Sequence, residues 1–476
     1  MTLLVAGRPL LGPPERARLR AHLKEGARRA RRHGECLVAL TVALAPGADP
    51  TAIVAASRRE GEDWFCFEQP DRDGFALAAL GCVDAIDERG PGRFRRVAAR
   101  WRKLAAGAVG DPAEGRAGVG AVAVGGFAFA PDGGSAPHWA GYAPASLHVP
   151  EVALARSGGD THLTLTALLC PDDDPDQVAA RLEARADALR FAPLPLLDPD
   201  PVDRARVASA MPPEHYEAAV ARAVERIRAG AFDKVVLARE VMVHAARAHD
   251  AAALLGVLRE AFPQCFTFAA GRGDSAFVAA SPELLVRRTG QRAGTLALAG
   301  STRRSADPAV DDHLGEQLLR SDKDREEQDI VTRRIVRALR PHSVWVTAAD
   351  EPVIAKMANI QHLATPIRAQ LAHPVGAVEL AGMLHPTPAV GGEPHADAVP
   401  LIPALEGLDR GWYAGPVGWT DTSEDGEFCV ALRCALLRGR EARLYAGVGV
   451  VRDSDPAAEL AETEVKLQAL LPILAG

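Results

Sequence analysis

The sequence predicts an α+β fold. Long helical patterns alternate with short apolar runs, and no regular strand-helix-strand repeat emerges. Neighbouring runs are joined by tight turns such as Arg438-Gly439-Arg440. Strands joined so closely pair antiparallel, so the sheet is at least partly antiparallel.

From the N-terminus, residues 14–32 (PERARLRAHLKEGARRARR) read as a strongly basic helix with a solvated face. Strand-like runs follow at 37–44, 63–68 and 76–84, then a helix near 93–107. A glycine-rich strand-turn at 120–134 precedes a hairpin, with strands near 146–155 and 161–169 about Ser157-Gly158-Gly159-Asp160. A helix near 175–191 closes this part. The proline-rich, aperiodic stretch near 192–212 is the best candidate boundary. It divides an N-terminal part, 1–200, from a C-terminal part, 201–476. Beyond it, helices are expected at 213–229, 249–260, 310–339, 376–383 and 455–472. Strands are expected at 234–243, 265–270, 276–287, 343–348, 411–419, 427–438 and 441–451.

Composition excludes several classes. A net charge of −7 gives no footprint for nucleic acid. The seven cysteines are scattered and contain no C-x-x-C, which argues against a disulfide framework or a zinc site and fits a reducing cytosol. No uncharged apolar run approaches the roughly 18–20 residues of a membrane span. The opening MTLLVAGRPLLGPPER lacks a basic segment before its apolar stretch and is a poor signal peptide. A cytoplasmic protein is expected.

Several residues could carry chemistry. Lys234 stands at the mouth of the apolar strand DKVVLAR; it is either a solvated strand end or a base drawn into a dry pocket. Acidic pairs at i,i+3 occur on two helices, Asp324/Glu327 and Glu459/Glu462. They are either solvated faces or an all-oxygen site that favours Mg²⁺ over Zn²⁺. Arg433 interrupts the apolar run Phe428–Leu437, read as one strand covered on both faces, where a guanidinium needs a carboxylate partner, either in an internal salt bridge or on a ligand. The spaced glycines of Leu444–Val450 allow close approach of a ligand. Glu283 lies within AFVAASPELLV; it is either part of a surface turn or a buried carboxyl whose raised pKa would make it a proton donor. His362 and His385 are either ligand contacts or structural histidines.

Ten segments occur together and in one order: DKVVLAR, SPELL, LAGSTRR, SDKDREEQDIV, QHLATPI, LHPTPAVGG, DRGWYAGPVGW, ALRCA, YAGVGVV and AETEVKL. With GGFAF at 125–129, this set resembles the chorismate-utilising enzymes, which include isochorismate, salicylate, anthranilate and aminodeoxychorismate synthases. The resemblance implies one large α+β domain of mostly antiparallel sheets in two layers with outer helices, to which residues 1–200 contribute strands.

It also implies roles. Lys234 resembles the base that activates water, and Glu283 the acid that protonates the departing C4 hydroxyl of chorismate. Glu327 and Glu462 match direct Mg²⁺ ligands, with Asp324 and Glu459 in the outer shell. Arg433, Tyr445, the Gly447 and Gly449 backbone and Lys466 match groups that hold the substrate carboxylates. His362 lines the same pocket, with Ala299, Gly300 and Ser301 from LAGS and the small residues Ala364 and Thr365. A free lysine and a protonated glutamic acid must coexist near neutral pH, so burial has to displace both pKa values.

Ammonia-using relatives usually carry glutamine at the place of Lys234, and aminodeoxychorismate enzymes a nucleophilic lysine at that of Ala299. Both positions point to water as nucleophile, hence to an isochorismate synthase. Such an enzyme serves menaquinone or siderophore synthesis, needs no glutaminase partner, and is expected to act as a monomer. A salicylate synthase, which goes on to eliminate pyruvate, and an inactive chorismate-binding homologue are the alternatives. Gln328-Asp329 departs from the histidine and glutamate frequent there.

Overall fold

The computed structural model describes residues 10–113, 115–198, 203–358 and 360–476. Among them the strands form two antiparallel sheets, of twelve and ten strands. The first runs in the order Cys36–Ala43, Asp160–Leu169, Val152–Ser157, Phe75–Leu80, Trp64–Gln69, Phe266–Arg272, Ser275–Ser281, Cys434–Arg438, Glu441–Val450, Lys234–His244 and Gly392–Glu393, with Arg206–Ser209 also pairing with Lys234–His244. The second runs Ser343–Ala348, Ile360–Leu371, Arg292–Arg303, Leu284–Thr289, Gly426–Val430, Pro416–Asp421, Val122–Phe127, Ala145–Val149 and Asp84–Glu88, with Val353–Lys356 also on Ile360–Leu371. Both sheets therefore mix strands from before and after the proline-rich stretch. Residues 199–202 of that stretch, and residues 1–9 on which the signal-peptide reading rests, lie outside the described residues.

Strand period explains the layering. In Trp64–Gln69 the side chains of Phe65 and Phe67 join the large buried cluster that also holds Val122, Val124, Phe127 and Phe428 of the second sheet. Trp64 and Cys66 point the other way, into a second cluster beneath the helices Pro13–His33, Pro175–Asp187 and Ala251–Ala261. A strand covered on both faces reads as continuous apolar sequence, as this one does.

Four runs expected as single strands are each two. Residues 76–84 divide into Phe75–Leu80 and Asp84–Glu88; 146–155 into Ala145–Val149 and Val152–Ser157; 276–287 into Ser275–Ser281 and Leu284–Thr289; 427–438 into Gly426–Val430 and Cys434–Arg438. In every case one half belongs to each sheet. The run of 427–438 is thus not one strand covered on both faces; Arg433 stands in the link between sheets, at φ 45°. The helix expected at 310–339 is also two, Pro308–Arg320 and Asp322–Leu339. Ser321 separates them, its hydroxyl accepting the amide of Asp324 at 3.3 Å as an N-cap. The helix expected at 455–472 is Pro456–Leu467 followed by Leu471–Ala475. The two longest strands of the second sheet, Arg292–Arg303 and Ile360–Leu371, had no counterpart among the expected strands.

Candidate active site

Two of the sheet-to-sheet crossings run side by side and build one wall of a pocket. Ser281 Oγ donates to Val430 O at 2.5 Å, the Val430 amide to Glu283 O at 3.0 Å, and the Ala280 amide to Arg433 O at 3.1 Å. Glu283 sits on one crossing and Arg433 on the other. Together they face one partly open cavity. The opposite side comes from the helices Asp322–Leu339 and Pro456–Leu467, the floor from Glu441–Val450, and the remaining side from the bulged stretch Ala299–Ser301 with His362 beside it.

Burial acts on Glu283 as the resemblance requires. Its carboxyl is pushed up to about 7 by loss of solvent, against the opposing charges of Arg433, Lys234 and Lys466. His362 is held at about 3, by burial and then by the charges of Arg433 and Lys466. The imidazole is therefore neutral. Its Nδ1 donates to Gly300 O at 3.1 Å, and Nε2 accepts from Arg433 Nη2 at 2.9 Å. This contact aims the guanidinium into the cavity, and Arg433 Nε is buried with no hydrogen-bond partner.

Lys234 has none of its surface exposed and lies behind the pocket wall. Its Nζ reaches Oε1 of Glu327 at 2.7 Å, as an ion pair whose angle is too bent for a hydrogen bond. Gly449 lies between: a Cβ there would stand 2.6 Å from Glu327 Oε1 and 2.9 Å from Lys234 Cε. Gly447 is equally constrained, its Cβ position 2.7 Å from the Tyr413 hydroxyl. Lys466 Nζ donates to Gly447 O at 2.9 Å and pairs with Glu462 at 3.0 Å.

Asp324, Glu327, Glu459 and Glu462 all line the cavity. Among the described residues no group of three or more His, Cys, Asp or Glu side chains draws close enough to enclose a metal. Three of the four carboxylates are instead held by lysines: Glu327 by Lys234, Glu462 by Lys466, and Glu459 by Lys323 at 3.4 Å. Burial, with the charges of Glu327 and Glu462, pushes Asp324 above the usual carboxylate range; burial and Glu462 do the same to Glu459. Burial also opposes the Glu462 charge, but Lys466 and the Ser301 hydroxyl at 2.8 Å bring it below its ordinary value. Four carboxylates from two helices, lining one cavity with no His or Cys among them, are the donor type that a hard divalent cation takes.

Besides Lys234 behind the wall, two expected residues do not line the pocket. Thr365 and Ala364 lie farther along Ile360–Leu371 than His362 and are buried in the sheet. Thr365 faces the helix, where its hydroxyl accepts from Gln328 Nε2 at 2.8 Å. His385 is structural: its Nε2 bonds Phe129 O at 3.0 Å away from the cavity, and burial holds it at about 3. Tyr445 does line the cavity, stacked between Trp139 and Tyr413, its buried hydroxyl without a partner. Tyr413 and Lys323 also line it and were missed. The signal was available, since each falls inside a quoted motif, DRGWYAGPVGW and SDKDREEQDIV.

Residues 22–475 match the family described as chorismate binding enzyme. The chain belongs to that family. It is 38% identical over 460 residues to the salicylate biosynthesis isochorismate synthase of Pseudomonas aeruginosa, covering 92% of this chain and 90% of that one. It is 33% identical to the isochorismate synthase MenF of Bacillus subtilis, covering 87% and 88%. The solved structure of MenF, the menaquinone-specific isochorismate synthase of Escherichia coli, aligns with a TM-score of 0.77 at 27% identity, over 96% of this chain and 100% of that one. The two-sheet α+β architecture is that of the chorismate-utilising enzymes.

Proposed function

We propose that this protein is an isochorismate synthase that converts chorismate to isochorismate. The observation that carries the reading is Glu283 on the pocket wall, at a crossing between sheets, with Lys234 buried directly behind that wall at the end of a strand in the first sheet and paired with the pocket carboxylate Glu327. Glu283, raised to about 7, keeps a proton to give to the C4 hydroxyl as it leaves. Lys234 takes the proton of the water that adds at C2. The ring double bond shifts between these two events, so water enters and water departs, and atoms balance. Arg433, aimed by neutral His362, holds one carboxylate of the dianion, with Lys466 nearby.

Glu327 and Glu462, with Asp324 and Glu459 behind them, would hold Mg²⁺. The ion, when bound, supplies charge neutralisation and orientation for a substrate carboxylate. The apolar part of the wall, with Val236, Leu298, Val390 and Leu432, keeps the reacting ring from bulk water. The product serves menaquinone or salicylate synthesis, the uses named for the relatives, or siderophore synthesis.

Incubation of the protein with chorismate and Mg²⁺, followed by separation of products, tests this. Isochorismate as the sole product supports it. Salicylate with pyruvate would replace it by a salicylate synthase, and absence of turnover with retained binding by an inactive homologue.

A further inference from the structure

Gln328 follows Glu327 on the helix Asp322–Leu339 and points in a different direction, into the second sheet. It is buried, among the apolar residues Val331 and Ile335 of the same helix. Its Nε2 donates to Ala297 O at 3.0 Å and to Thr365 Oγ1 at 2.8 Å. Ala297 and Thr365 are a cross-strand pair, so one amide group ties the helix to two strands at once. Farther along those strands stand Gly300, Ser301 and His362, the side of the cavity that Asp324 also approaches: a Cβ on Gly300 would lie 3.0 Å from Asp324 Oδ1.

This anchorage is costly to the fold. Gln328 Oε1 is buried and has no hydrogen-bond partner. An apolar side chain of the same length would remove that unsatisfied acceptor and pack against the sheet, at the cost of the Thr365 and Ala297 hydrogen bonds. What such a side chain would lose is direction, because dispersion contacts leave the helix free to slide or rotate by fractions of a turn. Two hydrogen bonds to fixed strand atoms do not.

We propose that Gln328 is a positioning residue for the divalent-cation site: it fixes the register of the helix carrying Asp324 and Glu327 against the pocket strands. The inference rests on the Mg²⁺ reading of the four carboxylates. Groups that orient metal ligands typically change affinity 10–100-fold when removed.

The test uses the full chain and Mn²⁺ as a spectroscopic stand-in for Mg²⁺, with free Mn²⁺ followed by electron paramagnetic resonance and thermal unfolding followed by circular dichroism. Gln328→Met keeps length and helix propensity. The expected result is Mn²⁺ binding weakened about tenfold, consistent with that range, with a cooperative native melting transition retained. A folded Gln328→Met that binds Mn²⁺ within threefold of wild type overturns the inference while leaving the metal site standing. If the wild-type chain itself binds no Mn²⁺, the metal reading fails and the inference falls with it. Should Gln328→Met lose its native melting transition, Thr365→Val decides, since it removes one acceptor and leaves the amide. Weakening of threefold or more then supports the proposal, and any smaller change overturns it.

Discussion

Lys234 Nζ lies 2.7 Å from Glu327 Oε1, and the two meet only because residue 449 is glycine. The proposed base is thus paired, in the free protein, with a carboxylate proposed to hold the cation. Gly449 pairs with Val236 across the strands, two residues on from Lys234, so the backbone that carries the pocket floor also sets the distance between the two groups.

Gly449→Ala should therefore separate them. Its added Cβ would overlap Glu327 Oε1 and press on Lys234 Cε. Alanine is otherwise tolerated in a strand as well as glycine is. The expected outcome is a normally folded protein whose kcat falls at least tenfold, checked by steady-state kinetics beside a thermal melt.

Lys234→Gln should remove the base and leave the carboxylate-binding groups in place. Loss of a positioned general base typically costs 10²–10⁴-fold. Isochorismate formation should fall by about that factor, with chorismate affinity, measured by calorimetry in the presence of Mg²⁺, changed only a few-fold.

Glu283 makes stability and activity depend on pH in a stated direction. It titrates at about 7 when folded, against an ordinary value of 4.5. The folded state therefore holds this proton more tightly than the unfolded chain. The resulting stability is complete below about pH 4.5 and is lost as pH rises through about 7. Glu283→Gln has no such proton to lose. Relative to wild type it should gain stability across that window, on the order of 3 kcal/mol by pH 8, as read from denaturation at a series of pH values. In the wild-type enzyme, kcat/KM should decline above about pH 7 as the acid loses its proton.

Behind the strand of Lys234 lies a buried ion pair. Arg410 contacts both carboxylate oxygens of Glu406, at 3.0 and 2.5 Å, and donates to Val390 O and Val236 O; Glu406 in turn accepts the Ala238 amide at 2.7 Å. Arg410→Met would leave a buried carboxylate uncompensated. A destabilisation of about 3–5 kcal/mol is expected, measured by denaturation, with part of it recovered in the double variant Arg410→Met, Glu406→Gln.

Most of the site was legible as residue types and little of it as geometry. The acidic pairs, the glycines, Lys234 and Glu283 were all readable from chemistry and motif. What periodicity could not show was where chains change sheet. The breaks at Pro282-Glu283 and at Ala431–Arg433 lie inside apolar sequence interrupted by little more than the site residues themselves, because the strands on both sides are buried. The break at Ser321 lies inside continuous helical sequence, and only the capping hydroxyl marks it. Each of these three breaks carries or adjoins a site residue. Arg292–Arg303 went unassigned because glycine and polar residues interrupt its alternation, notably at the bulge between Ala299 and Ser301 that shapes the pocket. Thr365 was misplaced for the opposite reason: a motif names neighbours in sequence, whereas a strand sends neighbours to opposite faces.

The central claim is that water, activated by Lys234, becomes the C2 hydroxyl of isochorismate. The most direct test is mass spectrometry of isochorismate formed from unlabelled chorismate in H₂¹⁸O, sampled at early conversion. The mechanism predicts one ¹⁸O in every product molecule, located at C2. Unlabelled isochorismate would mean that the C4 hydroxyl is itself transferred, and would contradict it.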